Sequence, residues 1–358
     1  MKTLTWQKPG QQNVAQELIK IIINYVAELR LTIFLCCILL SSCNNLKTGN
    51  KNVPITQIEW DNITERVTLE AIKLPTLCNI ENMAALDSFI LLENRLMEPC
   101  FVLWDRVNSE KFFSFGEDGN GPEDFLPTAM LVQSTEKNNF RIWNGNSIRK
   151  YQYKGDSLTF DTQKLDCPYV GFYQRFFAIN DTLYCGYKAS PHETGIHLLN
   201  INTGKSYDSI TVNEGYFDNK IMPYDLTFQV QQDKLVVGRI RFNQIEVYQI
   251  DREKNKFNSL FTINYKGDSP ENPITDGACY MKSINTDNNF FYMLNQDTEH
   301  PGEETYLDIF TWEGKPVKRL QLDALYLDGV LLNNMLYLKK YTDDDNLYML
   351  PLNLLQIL

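Results

Sequence analysis

Two patterns of apolar and polar positions alternate along the chain from residue 87 onward. The first is an Asp or Asn, any residue, then an apolar run. It occurs as Asp87-Ser-Phe-Ile-Leu-Leu, Asn138-Asn-Phe-Arg-Ile-Trp and Asp181-Thr-Leu-Tyr-Cys-Gly, and again as Asp233-Lys-Leu-Val-Val-Gly, Asn288-Asn-Phe-Phe-Tyr-Met and Asn333-Asn-Met-Leu-Tyr-Leu. A short polar side chain opens a tight turn, and the run behind it, rich in aromatic and branched residues, reads as a buried strand. The second pattern begins with an apolar residue and carries an aromatic residue or Leu at its fourth position. Its copies start at Phe101, Ile148, Ile196, Ile245, Leu307 and Leu347. Asn202-Thr-Gly-Lys and Glu313-Gly-Lys then supply turns before further strands. No long segment with helical spacing separates the copies.

Each repeat therefore holds about four short strands in roughly 50 residues, the signature of a propeller blade. Six copies predict an all-β, six-bladed β-propeller of four-stranded antiparallel blades over residues 53–358. The last repeat ends close to Leu358, leaving little chain for its fourth strand. The alternating segment ahead of the first repeat, Val67 to Leu74, is expected to fill that place beside Leu347 to Leu352 and so close the ring.

The N-terminus carries different chemistry. Leu31 to Leu40 is an apolar run with Thr32 as its only polar member, flanked by Arg30. It is shorter than the ~20 residues of a spanning helix and matches a signal-peptide core. Leu40-Ser-Ser-Cys43 follows and resembles a bacterial lipobox. Residues 1–42 are read as a signal peptide region, Cys43 as the lipidation site, and 43–52 as a lipidated tether. Acyl chains on Cys43 would make the membrane a partner.

The chain has 358 residues, 43% of them hydrophobic, and a net charge of −11. It can bury a sizeable core, and the missing basic footprint excludes nucleic acid as the main partner. Cys78, Cys100, Cys167, Cys185 and Cys279 form no C-x-x-C and read as small buried hydrophobes.

Phe115-Gly-Glu-Asp-Gly-Asn-Gly-Pro-Glu-Asp-Phe125 resembles the G-x-x-G-x-G-P-x-E-F linker of NHL-type propellers, with Asp124 where that pattern has Glu. With the lipobox and six repeats, the chain resembles the TolB-like six-bladed propeller lipoproteins common in Bacteroidetes. The resemblance implies an exported, lipid-anchored propeller and brings no catalytic set. Cys43 is followed by Asn-Asn-Leu-Lys, without the acidic residues associated with surface export in that phylum, which favours the periplasmic face of the outer membrane.

No H-E-x-x-H, Walker loop or G-x-S-x-G occurs. Gly155-Asp-Ser-Leu158 spells an esterase block, but between two strand patterns it reads as a hairpin turn. Gly116 to Gly121 has no helix behind it to bind phosphate and reads as a connection between blades. Asp343-Asp-Asp-Asn346 lacks the alternation of a calcium loop and reads as a hairpin tip. His197 alternates with apolar neighbours as a strand residue. The connections between second and third strands carry Asn94, Arg95, Asn144, His192, Arg239, Arg241, His300 and Asp343, the candidate ligand-binding face.

The functional expectation is a binding or scaffolding module at the cell envelope, taking a protein, small molecule or carbohydrate, without cofactor or metal. The alternative is a propeller enzyme of metal-dependent lactonase or lyase type with its site in the central channel. Three or more converging Asp, Glu or Asn oxygens would mark the enzyme. A channel mouth lined by Arg and Tyr would mark the binder.

Overall fold

A computed structural model describes residues 53–60, 65–76, 78–94, 97–108, 111–119, 121, 123–134, 136, 139–154, 157–165, 173–190, 193–211, 226–240, 244–265, 281–296 and 304–352. Residues 1–52, with the expected signal peptide region, Cys43 and the expected tether, lie outside them. Val53–Leu358 forms one compact unit. The described residues contain 26 strands and no helix.

Three short strands come first: β1 (Ile55–Ile58), β2 (Glu65–Val67) and β3 (Glu70–Lys73). Six antiparallel meanders follow. The first is β4 (Ile80–Leu86), β5 (Phe89–Asn94), β6 (Phe101–Asp105) and β7 (Phe112–Phe115). The second is β8 (Met130–Ser134), β9 (Asn139–Asn144), β10 (Ser147–Lys154) and β11 (Ser157–Lys164). The third is β12 (Tyr173–Ala178), β13 (Leu183–Ser190), β14 (Glu193–Asn200) and β15 (Ser206–Thr211). The fourth is β16 (Leu226–Gln231), β17 (Lys234–Arg239), β18 (Gln244–Asp251) and β19 (Lys256–Tyr265). The fifth is β20 (Met281–Thr286), β21 (Phe290–Gln296), β22 (Thr305–Thr311) and β23 (Pro316–Leu322). The sixth has three strands of its own: β24 (Tyr326–Leu332), β25 (Met335–Lys340) and β26 (Asn346–Pro351).

The two sequence patterns are the second and third strands of these meanders. Their apolar runs are nearly continuous because sheets cover both faces, as in β5, where all six residues are buried. One face of each sheet packs on the next. Leu91 and Leu103 join Phe140 and Ile142 of the second meander, whereas Ile90, Leu92 and Val102 face Val330 and Leu347 of the sixth. The other four junctions have equivalent clusters, so the contacts run round a closed ring. The first strands of all six meanders line one cavity at its centre. The fold is a β-propeller.

The turns follow the predicted chemistry with one shift. Asp87 and Asn333 adopt positive φ. In two other turns the organising side chain sits one residue before the repeated position. Asn180 Oδ1 accepts from the Thr182 and Leu183 amides, and Asp287 Oδ1 from those of Asn289 and Phe290.

Closure occurs where the strand supply predicts it. β3 pairs antiparallel with β26, with Ile72 opposite Leu347, and provides the sixth meander's outer strand. Leu69 and Leu74 are buried beside it. The segment does more than the sequence suggested. β1 adds in parallel to β19 and β2 to β23, so the N-terminal chain crosses the outer edges of three consecutive sheets. This covers edges that would otherwise expose unpaired backbone groups. On the other side of the ring, first strands β8 and β12 pair in parallel, with Phe176 opposite Val132, fusing two meanders into one eight-stranded sheet.

Candidate functional site

The residues expected on the ligand-binding face divide into two groups. Cys43, Arg95, His192, Arg241 and His300 lie outside the described residues. Asn94, Asn144, Arg239 and Asp343 are described, and each is engaged within the fold. Asn94 is 4% exposed, accepts the Asn79 amide at 2.7 Å and donates to the Pro99 carbonyl at 2.9 Å. Asn144 is 8% exposed and holds the linker, accepting the Leu126 amide at 2.8 Å and donating to the Asp124 carbonyl at 3.0 Å. Arg239 binds Glu246 through Nε at 2.7 Å and Nη2 at 3.1 Å. Asp343 accepts the Tyr348 hydroxyl at 2.7 Å and the Asn346 side-chain amide at 3.0 Å. Those hydrogen bonds hold the Asp343 carboxyl below its ordinary value.

The Gly116–Phe125 linker is a built connection. Phe125 is 1% exposed, in the cluster joining the first two meanders. Gly116 has φ +86°, and a Cβ there would meet the Phe125 ring at 2.6 Å, so glycine is required on both counts. Arg149 covers that ring at 4.5 Å and donates to the Glu123 and Asp124 carbonyls, each at 2.7 Å. Lys154 pairs with Ser157 across β10 and β11, in line with the hairpin reading of the Gly155 block. His197 is a buried strand residue whose Nδ1 lies 3.1 Å from Ser206 Oγ. Cys78 and Cys185 are buried free thiols and Cys100 a half-buried one; burial raises all three, Cys78 to about 11 and Cys100 to about 12.

The channel holds the chemistry that the loop-centred reading overlooked. Its cavity has a volume of about 250 Å³. Asp87, Glu136 and Asn333 lie beyond the ends of their first strands, which places the cavity toward the end of the channel where those strands turn back. Glu136 is paired with Arg141 and with Lys150. The cavity's cation is Arg175 of β12. Among the described residues its Nη1 and Nη2 make only long hydrogen bonds to neutral groups, 3.4 Å to Thr227 Oγ1 and 3.4 Å to Gln133 Oε1. Its Nε is shielded from solvent without a partner. Burial pulls the guanidinium below its ordinary value, and the charge of Asp328 pushes it back. Asp328 is itself held by the Ser283 hydroxyl at 2.5 Å and the Gly329 amide at 2.8 Å. Gln229 Oε1 and Asn285 Nδ2, also lining the cavity, are shielded and unpartnered, and Asn285 is 5% exposed.

Such groups are costly to hold. A shielded polar atom without a hydrogen bond costs about 1–3 kcal/mol, and a charged group costs more. Three of them from three different strands converge on one cavity. The sequence carried a weak signal at Arg175, a lone cation ahead of Phe176 and Phe177, and none at Gln229 or Asn285, which sit in strands with several other polar residues. The two strand patterns drew attention to second and third strands and away from the first. Among the described residues no three His, Cys, Asp or Glu side chains come together as metal ligands.

No family model matches the chain, and no curated protein matches it. Solved structures do. The chain is similar to a candidate exported protein of Bacteroides fragilis NCTC 9343, with a TM-score of 0.54 and 9% identity, covering 84% of this chain and 99% of that one. It is also similar to regucalcin from Agrobacterium tumefaciens, a calcium-binding protein, with a TM-score of 0.49 and 11% identity over 80% and 95% of the two chains. For BamB from Moraxella catarrhalis the TM-score is 0.36 and the identity 10%, over 75% and 83%. The first likeness is one of fold alone, and the other two are too distant to carry an argument.

Proposed function

We propose that this chain is an exported, lipid-anchored, six-bladed propeller that works as a binding module at the cell envelope, with its central channel as the ligand seat. The six meanders, each a blade once β3 completes the last, support the ring. The lipobox-like Leu40-Ser-Ser-Cys43 supports the anchor, at the periplasmic face of the outer membrane. The exported-protein description of the Bacteroides neighbour agrees with an envelope location. The observation that carries the binding role is the convergence of Arg175, Gln229 and Asn285, with unused donors and acceptors, on one cavity. Rigid sheets hold these groups in place, so little ordering is needed when a ligand enters.

Two experiments test the reading. Metabolic labelling with palmitate should mark the protein and fail after Cys43→Ala, which should also release it into the soluble fraction. Labelling that survives the substitution contradicts the anchor. Small polar compounds screened by thermal shift should include some that raise the melting temperature of the parent protein but not of an Arg175→Gln variant. A screen in which every active compound stabilises both equally contradicts the channel as the seat.

A further inference from the structure

We propose that the channel takes a small monocarboxylate bearing a neighbouring hydroxyl or amine, with Arg175 gripping the carboxylate and Gln229 and Asn285 contacting the adjacent polar group. This rests on the channel being a ligand seat and adds the class of ligand.

The guanidinium of Arg175, and not the net charge of the lining, points to an anion: Asp87 and Glu136 also line the cavity, Glu136 already paired with Arg141 and Lys150. Among the described residues Arg175 has no carboxylate within hydrogen-bonding distance, and its contacts to Thr227 and Gln133 are long and neutral. A guanidinium presents a planar fork of donors matched to a carboxylate or phosphate, with shorter and stronger bonds than these. The number of charges selects between those anions. Arg175 is the cavity's one cation without an ion-pair partner among the described lining residues, and Asp328 already acts on it electrostatically. A phosphate dianion would bring a second negative charge with no cation to meet it, whereas a carboxylate brings one.

The remaining polar atoms describe the rest of the ligand. Gln229 Oε1 is an acceptor awaiting a donor, and Asn285 Nδ2 a donor awaiting an acceptor. A hydroxyl can serve both, because it donates once and accepts twice. An amine can serve the acceptor. Size sets the upper bound. The cavity of about 250 Å³ is below the ~300–1,000 Å³ of pockets for drug-sized ligands, so the occupant is a compact molecule. Met83, Val230 and Leu332 supply apolar wall between the polar groups.

The test uses glycolate as probe, glycolamide as its neutral isostere, glucose as a neutral polyol and inorganic phosphate as the tetrahedral anion. The readout is the side-chain Nε–H resonance of Arg175, identified by its loss in Arg175→Lys, followed together with the side-chain amides of Gln229 and Asn285 during titration. Glycolate should shift all three, while glycolamide leaves the Nε–H unmoved. Arg175→Gln should weaken glycolate by roughly thirtyfold or more, the scale for truncating one partner of a buried charge pair. Asn285→Asp should weaken it as well, by placing a negative charge in the seat, and the parent titration does not depend on either variant folding. Shifts produced only by glycolamide or glucose would leave the channel a ligand seat and overturn the carboxylate class. Shifts produced only by phosphate would also overturn it. If no channel resonance moves with any probe, both the class and the seat fall.

Discussion

Arg319 and Arg175 belong to the same ring of sheets, yet their donors end in opposite ways. Arg319 of β23 grips Asp308 through Nε at 2.6 Å and Nη2 at 2.7 Å. Asp308, 0% exposed, also accepts the Tyr265 hydroxyl at 2.6 Å and the Asn295 side-chain amide. Three rings surround the guanidinium at 4.9–5.5 Å, those of Trp60, Tyr265 and Tyr306. Arg175 has two long neutral hydrogen bonds, one ring, that of Phe228, at 5.7 Å, and an Nε without a partner among the described residues. The first region uses its charge to lock adjoining sheets and the N-terminal segment together, because Trp60 belongs to that segment. The second leaves its charge available. A buried ion pair is costly to break, whereas a charge held without a partner contributes little to the fold that holds it. The difference separates an arginine kept for structure from one kept for a ligand.

The largest effect should come from removing residues 53–75, which takes away Trp60, the closing strand β3 and the parallel strands β1 and β2. Ile58, Leu69 and Leu74 are buried in that segment. Each contributes about 1.5–3 kcal/mol when fully buried. Their combined loss is on the scale of the ~5–15 kcal/mol that keeps a domain folded. The truncated chain should lose cooperative melting near ambient temperature; a melting curve like the parent's would show that the ring closes without the segment.

Arg319→Met should come next, at about 3–5 kcal/mol, because it leaves the Asp308 carboxylate buried without its cation. Chemical denaturation measures this directly, and Asp308→Asn in the same background should recover part of the loss. A single variant within ~0.5 kcal/mol of the parent would show that the network is not structural. Asn144→Ala should cost about 1–3 kcal/mol, since it leaves the Leu126 amide and Asp124 carbonyl without their partner where the linker crosses between meanders. The same denaturation series checks it, and no change would return Asn144 to the candidate ligand-binding residues.

Acid should produce the smallest structural effect. Hydrogen bonds from Lys150 to Asp181, and from Tyr348 and Asn346 to Asp343, hold both carboxyls below their ordinary value. Folded values below unfolded ones mean that the stabilisation is fully present above pH ~3.9 and is lost as pH falls through the folded values. Both side chains are largely solvated, so the loss is modest. Denaturation midpoints measured down the acid limb should show a shallower fall for Asp343→Asn than for the parent, and identical limbs would remove Asp343 from the account.

The blade pattern was legible because it rests on local chemistry. Asp87 and Asn333 open turns wherever they occur, and an apolar run such as Phe89–Leu92 has to be buried. Closure by β3 was legible from the strand-like alternation of Arg66 to Leu74 ahead of the first repeat. The parallel additions of β1 and β2 were not, because Ile55–Ile58 and Glu65–Val67 are short and mostly exposed, and their partners lie some 200 or more residues away. The site was least legible. Asn94 and Asn144 looked like loop residues free for a ligand, but their amides are taken up by backbone groups that only the fold brings close, Asn79 and Pro99 for Asn94 and the linker's end for Asn144. Arg175, Gln229 and Asn285 are far apart in sequence and meet only when the first strands of the third, fourth and fifth meanders converge on the channel.

If Arg175 is held for a ligand and not for the fold, ligand-free Arg175→Met should show it in its thermal stability. Methionine keeps a long flexible side chain against Phe228 and removes the unpaired charge, while Asp328 keeps the Ser283 hydroxyl and Gly329 amide. The melting temperature should equal or exceed that of the parent protein. A fall comparable to that of Arg319→Met would show instead that Arg175 is part of the structural framework.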